Sequence, residues 1–165
     1  MFPRRPGRIE GFNYLGLHRY SLTFCTSQRK PCFNNPQLVE AVLTTIRQRC
    51  AADQFALFAY CFMSDHVHLL VEGIAEDSDL QRFVARCKQL TGFRYRQTTG
   101  ERLWQESYHD HVLRDDEETW RAARYILENP VRVGLAVRFE DYAFCGSDVF
   151  AAEQLNTLWQ ISRQG

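Results

Sequence analysis

Phe55–Gly73 reads FALFAYCFMSDHVHLLVEG, and the folding of this stretch decides the architecture. Phe55–Met63 is apolar on both faces of an extended chain, as in a central strand. Ser64-Asp65 supplies a two-residue turn, a weaker hairpin signal than Asn-Gly. From His66 to Glu72 side chains alternate, so Val67, Leu69 and Val71 share one face while His66, His68 and Leu70 share the other. The valine–leucine face packs on a core. The histidine face is open or lies under another element.

Elements on either side extend this hairpin. Tyr20–Thr26 alternates and is rich in β-formers, which predicts an earlier strand. Asn35 caps a helix that starts at Pro36 and turns Val39, Val42, Leu43, Ile46 and Cys50 to the core. A second helix opens at Ser78 or Asp79 and runs to about Thr98, with an apolar stripe of Leu80, Phe83, Val84, Cys87, Leu90 and Phe93. A short strand around His111–Leu113 precedes a third helix from Asp115 or Asp116, whose acidic first turn suits the helix dipole. Pro130 disfavours helical geometry in the residue before it, so that helix is expected to stop near Asn129. One more short helix follows Ala151. A hairpin mixed with helices in the order β-α-β-β-α-β-α predicts an α+β fold with a mainly antiparallel sheet flanked by helices. The expected organisation is an irregular basic arm over residues 1–16, a single domain over 17–150 and a helical tail over 151–165.

The chain has 165 residues, a hydrophobic fraction of 45% and no apolar run long enough for a membrane span, which suits one globular domain. Its arginine-containing start lacks the apolar segment of a signal peptide, so the expected location is the cytoplasm. The six cysteines form no C-x-x-C pair and read as free thiols in a reducing compartment. Net charge is zero, yet it is unevenly spread. Residues 80–100 carry Arg82, Arg86, Lys88, Arg94 and Arg96 with no acid, and the N-terminal stretch carries Arg4, Arg5 and Arg8. Such blocks fit either a phosphate-binding surface or a solvated helix face.

Two imidazoles on one strand face converge on a point in front of it, where a divalent metal fits. A pair of hydrogen-bonding surface histidines has the same spacing. The chain is too short for the barrels that use an H-x-H pair, and its helices argue against a jelly roll. A second pair, His109 and His111, has a less clearly extended setting. In the third helix, Trp120, Ala123 and Leu127 form the expected core stripe, with Ile126 at its edge. Tyr125 then falls nearly opposite the stripe, beside Asn129 one turn later and Arg121 one turn earlier. This is either an ordinary amphipathic surface or a site. As a site, the tyrosine hydroxyl attacks phosphorus, a metal on His66 and His68 polarises the phosphate, and Asn129 adds an oxygen ligand.

With those residues in place, the chain resembles the single-tyrosine HUH transposases, and among them the group that includes REP-associated tyrosine transposases. Three stretches carry the resemblance: Tyr60–Leu70, YCFMSDHVHLL; Leu103–Asp115, LWQESYHDHVLRD; and Tyr125–Leu135, YILENPVRVGL. The likeness runs from about Tyr14 to Ser147. Two departures stand out: Ser64-Asp65 where the family has Pro-Asn, and Tyr142–Ser147 where it has a Trp-Ser-Ser-type stretch.

The resemblance implies a ferredoxin-like HUH domain that cleaves and rejoins single-stranded DNA near hairpins or palindromic repeats. It implies Tyr125 as the nucleophile that forms a 5′-phosphotyrosine, and His66 and His68 as ligands of Mg²⁺ or Mn²⁺, with Asn129 as a further ligand. Arg82, Arg86, Lys88, Arg121, Arg4 and Arg5 are the expected DNA contacts. A bacterial, nucleoid-associated monomer or homodimer is expected. The alternative is a transposase descendant that binds structured single-stranded DNA or RNA without cutting it.

Overall fold

The computed structural model describes residues 9–161. The hairpin forms as the alternation predicts: β2 (Phe55–Met63) and β3 (His66–Gly73) pair antiparallel, with Met63 opposite His66 across Ser64-Asp65. β1 (Arg19–Cys25) lies on the other side of β3, and β4 (His109–Leu113) pairs with β1. A two-residue strand, β5 (Cys145–Gly146), closes the far edge and gives the order β4-β1-β3-β2-β5. Every pairing is antiparallel. With α1 (Pro36–Asp53) between β1 and β2 and α2 (Leu80–Thr99) between β3 and β4, the first four strands make a ferredoxin-like unit. α3 (Asp116–Arg132) and α4 (Ala152–Ile161) complete the chain.

The sheet has a core on each face. Tyr20, Leu22 and Phe24 of β1 join Val67, Leu69 and Val71 of β3 beneath α1 and α2. A bulge between Leu57 and Ala59 switches the alternation of β2. Tyr60 and Phe62 therefore stay on the α1–α2 side, while Ala59, Cys61 and Met63 turn to the other side and pack with Leu70 under Ala123, Ile126 and Leu127 of α3. The histidine face of β3 thus lies under α3. Each fully buried Leu or Phe in these layers contributes roughly 1.5–3 kcal/mol.

Local signals set the helix ends. Asn35 accepts from the Gln37 N–H, Asp79 from that of Arg82 and Asp115 from that of Glu118. Gly100, at φ +75°, ends α2. Three expectations need correction. Leu90 and Phe93 are exposed, because the buried stripe of α2 continues through Thr91, whose hydroxyl receives the Trp104 Nε1–H at 2.8 Å. α3 does not stop at Asn129 but carries Pro130 in its last turn and closes at Gly134, with the Leu135 N–H on the Pro130 carbonyl and the Gly134 N–H on that of Val131. Pro130 cannot donate to the Ile126 carbonyl, so α3 runs through it at the loss of one helical hydrogen bond and continues for only two more residues. The buried stripe of α3 centres on Ile126, fully buried, and Trp120 is displaced to pack on Phe150 at 5.0 Å.

Residues 9–16 form no helix or strand, yet Tyr14 is buried and its carbonyl accepts the Leu80 N–H. No helix among the described residues is long and apolar enough to cross a membrane.

Tyr20 sits at 0% exposure, and its hydroxyl has no hydrogen-bond partner among the described residues. An unsatisfied buried hydroxyl costs about 1–3 kcal/mol. Tyr20→Phe is expected to leave the melting temperature unchanged or raise it; a drop on thermal denaturation would show that the hydroxyl is satisfied.

Candidate active site

The two imidazoles stand side by side on β3, ring centroids 4.7 Å apart and nearly perpendicular. Each is held by its Nδ1. That of His66 lies 2.7 Å from Asp65 Oδ1, and that of His68 lies 2.9 Å from Thr23 Oγ1, its cross-strand neighbour. A carboxylate only accepts, so His66 Nδ1 carries the proton of that hydrogen bond, and Nε2 is the ring nitrogen not engaged by Asp65. The threonine hydroxyl can accept from His68 Nδ1–H in the same way. Partners on Nδ1 that leave Nε2 available are the usual support for metal-binding histidines.

Asp65 is itself clamped. Arg29 Nε donates to its second oxygen at 2.9 Å, and its carbonyl receives both the N–H and the hydroxyl of Thr26. Burial works to raise the Asp65 carboxyl, but the hydrogen bond with His66 and the charge of Arg29 outweigh it and hold the group below the usual carboxylate range. Sequence reading treated Ser64-Asp65 only as a turn that departs from the family pattern. In the structure Asp65 is the residue that orients His66.

Tyr125 comes to this pair from α3 of the same chain. Its ring meets His68 edge to face, centroids 6.0 Å apart, while 55% of the residue stays exposed. Arg132 caps the tyrosine from the other side: its guanidinium carbon stands 4.0 Å from the ring centroid, and Nη2 donates to the Tyr125 carbonyl at 2.9 Å. Sequence reading gave Arg132 no role. It lies seven residues beyond Tyr125, two turns along one side of a helix, a relation visible only once α3 is known to pass through Pro130.

Asn129 is not on an open face with Tyr125, as the helical projection predicted; it is buried at 9% exposure, because the stripe centred on Ile126 rolls it toward the sheet. Its Nδ2 donates to the Tyr125 carbonyl at 3.4 Å, which leaves its oxygen as the donor for a cation. Among the described residues no three His, Cys, Asp or Glu side chains could hold a metal ion. The side chains here that could hold a hard divalent cation are His66 and His68 through Nε2 and Asn129 through its amide oxygen.

The other expected contacts are scattered. Arg121 is exposed and pairs with Glu117 at 2.6 Å. Arg82 and Arg86 lie on α2, across the sheet, each 3.4 Å from Asp53. Lys88 is turned inward, with Nζ donating to the carbonyls of Gln105, Glu106 and Ser107. Burial pushes its ammonium down to about 8. His109 and His111 stand on β4 opposite Thr23 and Ser21. Arg4 and Arg5 lie outside the described residues.

Residues 15–129 match the family described as "Transposase IS200 like", and the chain belongs to that family. Among curated proteins it is 27% identical over 112 residues to a "Putative REP-associated tyrosine transposase" of Haemophilus influenzae. That match covers 59% of this chain and 62% of the relative. Among solved structures, a REP-associated tyrosine transposase bound to a REP hairpin superposes with a TM-score of 0.66 at 18% identity, over 84% of this chain and 82% of that one. A second, described as a "putative transposase" from Deinococcus radiodurans, gives 0.50 at 24% identity over 76% and 97%. The fold is thus that of the tyrosine transposases, as the three quoted motifs led one to expect.

Burial pushes the His68 imidazole down to about 3, with His66, Arg132 and Arg29 adding positive charge around it. The folded protein keeps it neutral, while an unfolded chain takes up a proton below about 6.5. Stability of the metal-free protein is therefore expected to fall as pH drops from about 6.5 toward 3, by up to about 1.4 kcal/mol per pH unit from this group. Urea titrations across that range should show a shallower slope for His68→Gln; identical slopes would mean that His68 ionises freely when folded.

Proposed function

We propose that this protein is a metal-assisted single-stranded DNA endonuclease and strand transferase that acts beside DNA hairpins through Tyr125. The observation that carries the reading is the meeting of Tyr125 with His68 within one chain, at 6.0 Å between rings, beside a second imidazole held in the orientation a metal needs. The hairpin as target is supported by the solved relative, which is described as bound to one. Contact within one chain supports action without a partner's tyrosine.

The residues divide the work. His66, His68 and Asn129 would hold Mg²⁺ or Mn²⁺, which supplies charge neutralisation at the scissile phosphate and the departing oxygen. Tyr125 Oη attacks phosphorus, the O–P bond to the tyrosine forms, the P–O3′ bond breaks, and the 3′ oxygen leaves with a proton as a free hydroxyl. The reverse attack of a 3′-hydroxyl on the 5′-phosphotyrosine rejoins a strand and returns the tyrosine. Arg132 keeps the ring from swinging into solvent and places a fixed positive charge beside the developing phosphate ester. Half-exposure of Tyr125 leaves a strand room to enter.

Incubation with a labelled hairpin-bearing strand and Mn²⁺ should give a covalent protein–DNA adduct stable to denaturant, and Tyr125→Phe should give none. Adduct formation by Tyr125→Phe would refute the assignment, and binding without an adduct on any strand would leave a non-cutting DNA- or RNA-binding protein. Removal of the carboxylate in Asp65→Ala is expected to weaken Mn²⁺ binding about 10- to 100-fold while the fold is kept. Calorimetric titration measures this directly, and unchanged affinity would place the metal elsewhere.

A further inference from the structure

We infer that the outer face of α2 is a second contact surface for unpaired DNA, on the opposite side of the sheet from Tyr125. Phe93 offers a ring for a base to stack on, and Arg82, Arg86, Arg96 and Arg102 hold phosphates along it. This rests on the reading of the protein as one that acts on DNA, but it concerns residues the proposed chemistry does not use.

Arg82, Arg86, Gln89, Phe93 and Arg96 recur at intervals of three and four, so they form one exposed stripe about 21 Å long down α2. No acid interrupts the helix. Phe93 is 62% exposed toward the C-terminal end of the stripe, one turn before Arg96, left out of the core when Thr91 took the buried position. A phenyl ring held up between guanidinium groups is the arrangement that binds single strands: stacking accepts any base, and the cations follow the backbone.

The charge balance favours an anion. Buried Asp53 takes Arg49 at 2.9 and 2.8 Å on one oxygen, and Arg82 and Arg86 at 3.4 Å on the other. One carboxylate faces three guanidinium groups. Arg82 and Arg86 stay about half exposed, at 44% and 49%, with N–H donors to spare. Arg96 has no ion-pair partner among the described residues, and Arg102 has only the loose, exposed pair with Glu106 at 3.5 Å.

At the Phe93 end, a groove of about 380 Å³ opens between α2 and residues 102–106, with Gln89, Phe93, Arg96, Arg102 and Gln105 on its walls. Its far wall runs beside the end of β1: the Ser27 N–H bonds the Leu103 carbonyl at 2.8 Å, and the Gln105 N–H that of Cys25 at 2.9 Å. Cys25 is the register partner of His66. The groove and the imidazole pair therefore open at the same end of the sheet. A strand that leaves the tyrosine can pass over that end and continue onto α2.

The test is fluorescence anisotropy of the full chain with a labelled oligothymidylate strand across a salt series, without metal. Arg96→Ala is expected to lower the slope of log affinity against log salt by about 0.7, and Phe93→Ala to weaken binding about tenfold with the slope unchanged. Both side chains are exposed, so the variants should fold, which circular dichroism checks. Adduct formation on a strand too short to reach α2 should be unchanged in Phe93→Ala. Unchanged affinity and slope in both α2 variants would overturn the proposal, as would a clear preference for RNA of matching sequence. If no adduct ever forms but the α2 effects appear, this surface stands and the chemistry assigned to Tyr125 falls.

Discussion

The turn at Ser64-Asp65 is held from outside the hairpin. Neither residue has a positive φ, so the turn lacks the mirror-image geometry that closes two-residue hairpins unaided. Its carbonyls are met by the segment after β1: the Phe33 N–H on Ser64 and the Thr26 N–H on Asp65. Arg29, at φ +54°, holds the Asp65 carboxylate as well. This clamp sets the hairpin register, which brings Cys61 and Met63 opposite His68 and His66. It also leaves the other Asp65 oxygen for His66. One polar network thus fixes both the fold's central pairing and the direction in which the first imidazole faces.

The second constraint is how α3 is seated. Arg19 reaches from β1 to Glu72 on β3 and to Asp116 at the start of the helix. Ile126 and Leu127 press on the sheet in the middle, and the close at Gly134 stops the helix just past Arg132. Tyr125 is thereby delivered near the imidazoles by a helix anchored along its length, and Arg132 needs the extra turn beyond Asn129 to reach the ring.

Much of this was legible in the chain. The alternation of β3, the Asn35-Pro36 start of α1 and the Asp79 cap of α2 are local signals, and local signals translate directly. His66, His68 and Tyr125 were visible as residues out of place on otherwise apolar patterns, and the structure brings His68 and Tyr125 together. What escaped depends on tertiary contacts. Leu90 and Phe93 satisfy the helical period, but Trp104 reaches across to Thr91 and shifts the buried stripe. Pro130 reads as a stop, yet α3 runs two residues past it, held on the sheet by Ile126 and Leu127. β5 is two residues long and is defined by its pairing with Tyr60 and Cys61 of β2, a tertiary contact that no local pattern announces. Asn129 was placed on the right helix and the wrong side, because a projection without its core has no fixed origin.

The layer between α3 and the sheet is built differently from the one on the other face. Beneath Ala123, Ile126 and Leu127 lie Ala59, Cys61, Met63 and Leu70, none of them aromatic, whereas the opposite face is thick with aromatic rings. The height of the helix above β3 is set by this non-aromatic spacer. The reach of the phenol toward the imidazoles is then a matter of shim thickness: bulk added under the helix would act on the chemistry without touching any group that takes part in it.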